Sequence, residues 1–456
     1  MTRVLLCGNG SGRDVAIATS LRKNSTVRLF CALENTNDLL MSYAEATLVC
    51  GPKDLDRILS FARRNEVTLA LVDDISHLGT ELVSLLREAG IRTFGPSSRA
   101  SKVEHDKFFF DQLIRTIIKD SSYEGIIHIP RTQVFASTND ALTFLEQNPT
   151  FKVIKPRIVT SGNSKDVEFA GHGSLRTPKA VRRHLDQLLE RLLPVCDKPL
   201  LLQEYVDPGT AFLELGFQIL RANGHQVVLP IVRDYKRVRA GNRGMNSPGV
   251  LAVTAYDSKT QQHTVPDLRS LELQEQIRGF CEAFPSMLEQ QLGEPYEGVL
   301  YLQFIVERDS RRVFALECNT RFGDPESIVT LSIVKDSLYD LIEQLYQGKN
   351  PSLQLEPFSA IVSYLLPDDY PNAVDSRKSQ IQIPRRLRGD QIVEYPAIIQ
   401  YKRQQQSHDY RTFICLSDRA LALLVHAREL TEARRTLNEF LQDHCVMQKI
   451  EYRTDY

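Results

Sequence analysis

The first hundred residues alternate short apolar runs with amphipathic stretches, and this pattern constrains the fold more than any other feature of the chain. The runs are Val4 to Cys7, Val27 to Ala32, Thr47 to Cys50, Thr68 to Val72 and Arg92 to Phe94; Leu55 to Arg64 and Thr80 to Ala89 between them carry apolar residues three and four apart. Strands alternating with helices need crossover connections, so a parallel sheet covered by helices on both faces is expected. Gly95-Pro96 punctuates its end.

Downstream the pattern changes. A helix is expected over Asp106 to Ile118, and Lys152-Val153-Ile154-Lys155 reads as a strand running into the polar loop Val159 to Ser164. Leu200 to Val206, Ala211 to Leu220, Val227 to Val232, Val250 to Ala255 and Tyr301 to Glu307 read as strands, the last four antiparallel and joined by turns such as Asn223-Gly224. Leu271 to Gln291 and Ile333 to Gln347 read as helices. Beyond Asn350-Pro351 a small last unit is expected, with strands near Ser359 to Leu366 and Ala420 to His426, a surface loop at Arg403 to Asp409, and a closing helix from Thr431 to Asp443.

Composition narrows the partners. Lys and Arg total 56 against 57 Asp and Glu, a net charge of −1, so no strong field points to nucleic acid or a membrane surface, and small charged metabolites remain. The start at Met1 runs straight into a strand and no run of about 18 apolar residues occurs, so a cytoplasmic protein is expected. The eight cysteines include no Cys-x-x-Cys pair, which points to reduced thiols and away from structural zinc.

Two segments carry chemistry. Gly8-Asn9-Gly10-Ser11-Gly12, between a strand and a helix, resembles a dinucleotide fingerprint with Glu34 as its acid; a structural tight turn or another phosphate site explains it as well, since the third glycine is one residue early. The second is Leu316-Glu317-Cys318-Asn319-Thr320-Arg321-Phe322-Gly323-Asp324-Pro325-Glu326. Glu317 and Asn319 share a strand face, and two oxygen donors there can hold Mg²⁺ beside nucleotide phosphates or simply form a solvated polar face; the dense polar cluster after an apolar run favours the metal. Arg321 could reach a phosphate or acyl phosphate with its planar fork.

Leu316 to Glu326 is very similar to the signature of the glycinamide ribonucleotide synthetase family, also called phosphoribosylamine-glycine ligases, within the ATP-grasp superfamily. Val4 to Ala18, Ala89 to Pro96, Val103 to Leu113, Val153 to Lys155, Leu202 to Asp207, Asp234 to Val238, Tyr296 to Phe304 and Arg419 to Arg453 resemble the family in the same order. The resemblance implies an α/β and α+β multidomain fold: a Rossmann-like domain over residues 1–96, a two-lobed ATP-grasp domain over 97–350 with a small mobile lobe at about 125–206, and a small C-terminal α+β domain over 351–456. It implies ATP and Mg²⁺ (or Mn²⁺) as cofactors, a small-molecule amino acid and an amine as substrates, and a monomer or homodimer.

The resemblance also implies roles. Lys107 and Lys155 match the lysines that grip the ATP phosphates, and Gln203-Glu204-Tyr205-Val206 matches the hinge that holds adenine, with Gln203 in place of a family Glu. Glu214 is the candidate for the ribose hydroxyls. Loop 159–164, with Ser161, Gly162 and Ser164, would cover the nucleotide. Glu317 and Asn319 would hold the metal, while Arg321, Lys236 and Arg237 would orient the carboxylate or acyl phosphate.

Two segments depart from the family. Where it carries Gly-Pro-Glu-Ala-Pro-Leu, this chain reads Asp73-Asp74-Ile75-Ser76-His77-Leu78, and bare aspartates there would repel a sugar phosphate unless a metal or Arg intervened, or would merely cap the next helix. The glycine-recognition stretch is replaced by Gly241 to Val250. The expectation is therefore an ATP-dependent carboxylate-amine ligase with an altered acceptor site, for which phosphoribosylamine is a poor substrate. An ordinary phosphoribosylamine-glycine ligase, an NAD-dependent oxidoreductase and a non-catalytic ATP-binding regulator are the alternatives.

Overall fold

The structure, a computed structural model, describes residues 1–159, 167–171, 175–206, 212–239, 243–268, 270–307, 312–366, 380–384, 392–396, 399–401, 410–415, 419 and 421–445. Its first sheet is parallel, with order β3-β2-β1-β4-β5: β1 (Thr2–Gly8), β2 (Val27–Leu33), β3 (Ala46–Val49), β4 (Leu69–Val72) and β5 (Arg92–Phe94). Helices α1 (Gly12–Leu21), α2 (Asp38–Tyr43), α3 (Leu55–Arg64), α4 (Ile75–Leu78) and α5 (Leu82–Glu88) connect them, as the alternation requires. Every residue of β4 is buried, as in a strand covered on both faces.

A short helix α6 (Lys102–His105) leads into α7 (Lys107–Lys119). Asp106 caps α7, its carboxylate accepting from the backbone N–H of Phe108 and Phe109, and Phe110, Leu113, Ile114, Ile117 and Ile118 turn one face into the core. Lys107 is thereby fixed at the first helical position. The small lobe is a four-stranded sheet, order β7-β10-β8-β9, made of β7 (Thr132–Phe135), β8 (Phe151–Pro156), β9 (Glu168–Phe169) and β10 (Leu200–Glu204), after β6 (Ile127–His128). Helices α8 (Thr138–Gln147) and α9 (Pro178–Leu192) cover it. In α9 a Thr177 cap and Pro178 start the helix, and Val181, Leu185, Leu188 and Leu192 form its buried stripe.

The largest sheet has 11 strands. Its body comprises β11 (Phe212–Ala222), β12 (His225–Val228), β13 (Val232–Arg239), β14 (Arg243–Asp257), β15 (Gln262–Thr264), β16 (Gly298–Glu307) and β17 (Val313–Asn319), with β6 at one edge. The strand expected over Val227 to Val232 is divided: β12 ends at Val228, Pro230, which has no N–H to give a ladder, lies in the gap, and β13 starts at Val232. Helix α10 (Leu271–Leu292) packs on the other face with α7. The helix expected over Ile333 to Gln347 starts later, as α12 (Leu338–Tyr346) capped by Ser337, and Ile333 instead ends a preceding helix, α11 (Glu326–Ile333), that the spacing did not reveal.

The chain beyond 351, expected as a small unit, contributes β18 (Ser359–Leu365), β20 (Ile392–Pro396) and β23 (Leu421–Ala427) to this same sheet through β14–β18 pairing. Strands β19 (Gln380–Pro384), β21 (Ile399–Tyr401) and β22 (Tyr410–Cys415) form a separate three-stranded sheet, and α13 (Leu430–Cys445) is the last described element. The loop expected at Arg403 to Asp409 lies outside the described residues. No described helix is long and apolar enough to cross a membrane.

One core joins the first sheet to the large one, running from Val4, Leu6 and Leu71 through α11 and α12 to Ala360 and Leu423. Across this junction lies a buried polar hub. Arg13 of α1 is 4% exposed, with Nε 3.2 Å from Asp73, Nη2 2.9 Å from Asp74 and Nη1 donating to the Phe322 carbonyl at 3.4 Å. Asp73 in turn accepts from the Phe322 N–H at 2.9 Å. Arg13→Met strands two buried carboxylates and should cost about 3–5 kcal/mol at pH 7.5. Without Arg13 those carboxyls have folded-state pKa values above their unfolded ones, so the deficit should shrink as pH falls towards 5; urea unfolding at the two pH values checks both.

Candidate functional site

The site stands on one face of β11, β13, β16 and β17. On β16, Leu300, Leu302, Phe304 and Val306 point into the core with α7 and α10, while Tyr301 and Gln303 point the other way. Strict alternation from Val313 and Ala315 on β17 would send Glu317 into that core too. A one-residue bulge prevents it: Phe304 pairs with Ala315 but Gln303 with Glu317, so Leu316 is extra and the phase reverses. Glu317 and Asn319 therefore lie opposite Gln303 and Tyr301 on the cavity side.

The cavity, about 400 Å³, is lined by Lys107, Lys155, Gln203, Lys236, Glu317, Asn319 and Arg321 among others. Three ammonium groups from α7, β8 and β13 surround Glu317, with Lys236 Nζ 3.3 Å from its carboxylate. Burial works to raise the Glu317 pKa, but Lys236, Lys107 and Lys155 outweigh it and pull it down to about 2. Burial and the neighbouring Lys107 lower Lys155 to about 8. Lys236 is held firmly charged, because Glu317 and Asp234 more than offset its desolvation. Such a cluster of cations around one ionised carboxylate suits a polyphosphate accompanied by a divalent metal.

Other expected residues fall differently. Gln203 is buried, its carbonyl accepting from Lys155 Nζ at 2.8 Å and its amide donating to Thr132 at 3.3 Å, so it fixes Lys155. Glu204 points the opposite way and pairs with Arg131 at 2.9 Å. Tyr205 stacks edge-on against Phe169, and neither it nor Val206 lines the cavity. Arg237, next to Lys236 on a strand, projects away from it and lies over Phe169 at 4.7 Å, so the two are not brought together. Glu214 is half-buried on β11 and adds to the field at Asp234 and Lys236 without lining the cavity. Ser161, Gly162 and Ser164 lie outside the described residues.

Arg321 is pinned: its Nε is 3.0 Å from Glu104 and its Nη1 donates to the Phe322 carbonyl at 3.0 Å. Glu104 also accepts from the N–H and hydroxyl of Thr320. Sequence reasoning assigned no role to Glu104, Asp324, Glu326 or Arg419, although Asp324 and Glu326 close the signature. Asp324 accepts from Tyr364 at 2.7 Å and pairs with Arg419 at 2.9 Å, and Arg419 also donates to the Gly249 carbonyl. At Gly249, φ is +123° and a Cβ would come within 2.8 Å of Pro325, so only glycine admits this approach. Glu326 accepts from Tyr301 at 2.8 Å, and burial raises its pKa and that of the neighbouring Asp234 above the usual carboxylate range.

The first domain supplies the other end of the cavity through Asn9, Ser11, Glu34, Asp74 and Ser76. The glycine turn is not a dinucleotide cradle. Asp14 occupies it, its carboxylate accepting from the N–H of Gly10 at 2.7 Å and of Ser11 at 3.0 Å, and a Cβ on Gly8 would meet it at 2.6 Å. The bare aspartates expected at 73 and 74 are engaged by Arg13. Asp73 does not line the cavity; burial pushes it up to about 7 despite Arg13. Asp74 does line it and caps α4 through the Ser76 N–H; burial opposes its ionisation, but Arg13 holds its pKa below the usual range. The electrostatic case against a sugar phosphate thereby loses most of its force.

Comparisons with known proteins place the chain in a family. Residues 2–104 match the family model described as phosphoribosylglycinamide synthetase, N domain, and residues 115–327 that described as phosphoribosylglycinamide synthetase, ATP-grasp (A) domain. A phosphoribosylamine–glycine ligase of Thermococcus kodakarensis is 26% identical over 454 residues, 99% of this chain and 95% of that protein. The crystal structure of a phosphoribosylamine–glycine ligase from Thermotoga maritima superposes over the whole of both chains with a TM-score of 0.70 at 19% identity. The biotin carboxylase domain of Hydrogenobacter thermophilus 2-oxoglutarate carboxylase, solved with MgADP and bicarbonate, covers 97% of this chain and 90% of its own at TM-score 0.66 and 14% identity.

The lysine cluster gives a direct expectation. Lys155 titrates at about 8 rather than 10.5, so its charged form, the one that attracts an anion, is lost as pH rises through that lower value. Tripolyphosphate affinity should therefore fall between about pH 7 and 9, and Lys155→Met should lower affinity at pH 7 and flatten the profile. Titration calorimetry across that range checks both.

Proposed function

The chain belongs to the phosphoribosylglycinamide synthetase family of ATP-grasp ligases, and on that premise we propose that it joins the carboxylate of glycine to the amine of phosphoribosylamine, converting ATP to ADP and phosphate. The observation that carries the ATP chemistry is the convergence of Lys107, Lys155 and Lys236 on Glu317 beside Asn319 in one cavity. The substrate pair is supported by the match to phosphoribosylamine–glycine ligases along almost the whole chain. It is preferred to an altered acceptor because Asp73 lies outside the cavity and Asp74 is paired with Arg13, so the two bare aspartates that argued against a sugar phosphate are not both presented to it.

A carboxylate resists amines because oxide is a poor leaving group. In the proposed reaction a glycine carboxylate oxygen attacks the γ-phosphorus and ADP departs; the amine then attacks the acyl carbon, phosphate leaves with the bonding pair, and the ammonium proton is released. Lys107, Lys155 and Lys236 would bind the phosphates and offset charge as the phosphoryl group moves. Glu317, kept ionised, and Asn319 on the same face fit a hard cation, and they would hold Mg²⁺. A cation held there would supply positive charge against the transferring phosphates. Arg321, oriented by Glu104, would steady the carboxylate.

A second reading, a cationic amine in place of phosphoribosylamine, is favoured by Glu34 and Asp74 at the acceptor end. Steady-state ADP release with glycine and phosphoribosylamine, set against glycine and unphosphorylated cationic amines, decides between the two. Turnover with the first pair is expected; turnover only with the second would replace the proposal. Glu317→Gln should lower kcat at least roughly a hundredfold in a protein that still folds, as circular dichroism would check, and undiminished turnover would remove Glu317 from the metal site.

A further inference from the structure

The acceptor end of the cavity carries a second cluster that the ligase chemistry leaves unused. Glu34 follows β2, Asp74 and Ser76 follow β4, and His77 lies behind them. One ligand atom from each of Glu34, Asp74 and His77 falls within 4.8 Å of the others, and His77 Nδ1 is 3.7 Å from Glu34.

Two features leave this cluster incomplete. His77 is fully buried, and neither ring nitrogen has a hydrogen-bond partner, a state that costs stability unless something ligates it. The Ser76 hydroxyl lies against both Glu34 and Asp74, yet a hydroxyl has one proton and can satisfy only one of them. Arg13 does not complete the set. It contacts Asp74 through Oδ2, leaving Oδ1 towards Ser76, and it is already shared with Asp73 and Asp14.

We propose that Glu34, Asp74 and His77 form a site for a divalent cation of intermediate softness, such as Mn²⁺, Co²⁺ or Zn²⁺, opening onto the cavity. Two carboxylates and one imidazole suit those ions, whereas Mg²⁺ prefers an all-oxygen shell. Ligand atoms on one ion stand about 3–4 Å apart when each bond is near 2.1 Å. Closing the site thus needs only a short movement, most easily of Glu34, the most exposed of the three. Glu34 and Asp74 line the cavity and His77 does not, so the ion enters from the cavity and its open positions face back into it. There it offsets the acidity and can accept an anionic oxygen of the acceptor. That last consequence rests on the sugar-phosphate reading; ion binding itself does not.

The test is a Co²⁺ titration of the full chain without nucleotide or acceptor, read by visible d–d absorption. One equivalent should bind with a resolved band, and Glu34→Gln and His77→Gln should each weaken it at least about tenfold. Glu317→Gln, at the lysine end, should leave the band unchanged. The Glu34 side chain is 24% exposed, against 0% for His77, so Glu34→Gln keeps the test valid even if the buried His77 variant misfolds. No band in the unaltered protein, or a band kept in Glu34→Gln and lost in Glu317→Gln, overturns the proposal. Neither result bears on ADP release, so failure of this site and failure of the ligase reading remain distinguishable.

Discussion

A single buried guanidinium organises the junction between the first domain and the catalytic body. Arg13 reaches Asp73 and Asp74 from its own domain and the Phe322 carbonyl from the signature loop, and Asp73 returns a hydrogen bond to the Phe322 N–H. Buried charges persist only where partners are arranged around them, so the arrangement selects one docking geometry among many that the shared apolar core would allow. The loop is fastened twice more, by Glu104 to Thr320 and Arg321, and by Arg419 to Asp324. The side chains that face the cavity from Glu317 to Glu326 thus hold their positions through contacts to three separate parts of the chain.

The large sheet divides its labour by face. One side of β11, β16 and β17 is packed by α7 and α10, and the other carries Gln303, Glu317 and Asn319 beside Lys236. Placing carboxylate and ammonium groups this close inside a protein is expensive for any one of them alone, since desolvation opposes each charge. Together they compensate: Glu317 stays ionised against its burial, and Lys155 gives way to about 8 because burial, and then Lys107 beside it, disfavour its charge. The site is consequently poised for an incoming anion, which would relieve the repulsion among the lysines.

Much of this was legible in residue order. The alternation from Val4 to Phe94 dictated a parallel sheet, because short apolar runs separated by helix-length segments have few other ways to bury themselves. The apolar stripe of α7, and the placing of Glu317 with Asn319 on one face, follow equally from local spacing. The sequence alone could not say which face that was. A bulge at Leu316 reverses the strand's phase, and a bulge is a property of two strands in register, not of one.

The same limit governs the residues whose partners lie far along the chain. By itself the sequence determined the alternating elements of the parallel first sheet, helices α7 and α10, and the signature that marks an ATP-grasp ligase, since these rest on spacing within a few turns or strands. Only the tertiary structure decided that Arg13 claims Asp73 and Asp74, that Asp14 fills the glycine turn, that Gln203 holds Lys155, and that Arg237 turns away to Phe169. Whether a carboxylate repels, caps, ligates or is neutralised depends on which charge the fold brings within about 4 Å of it, and that distance is not written in residue order.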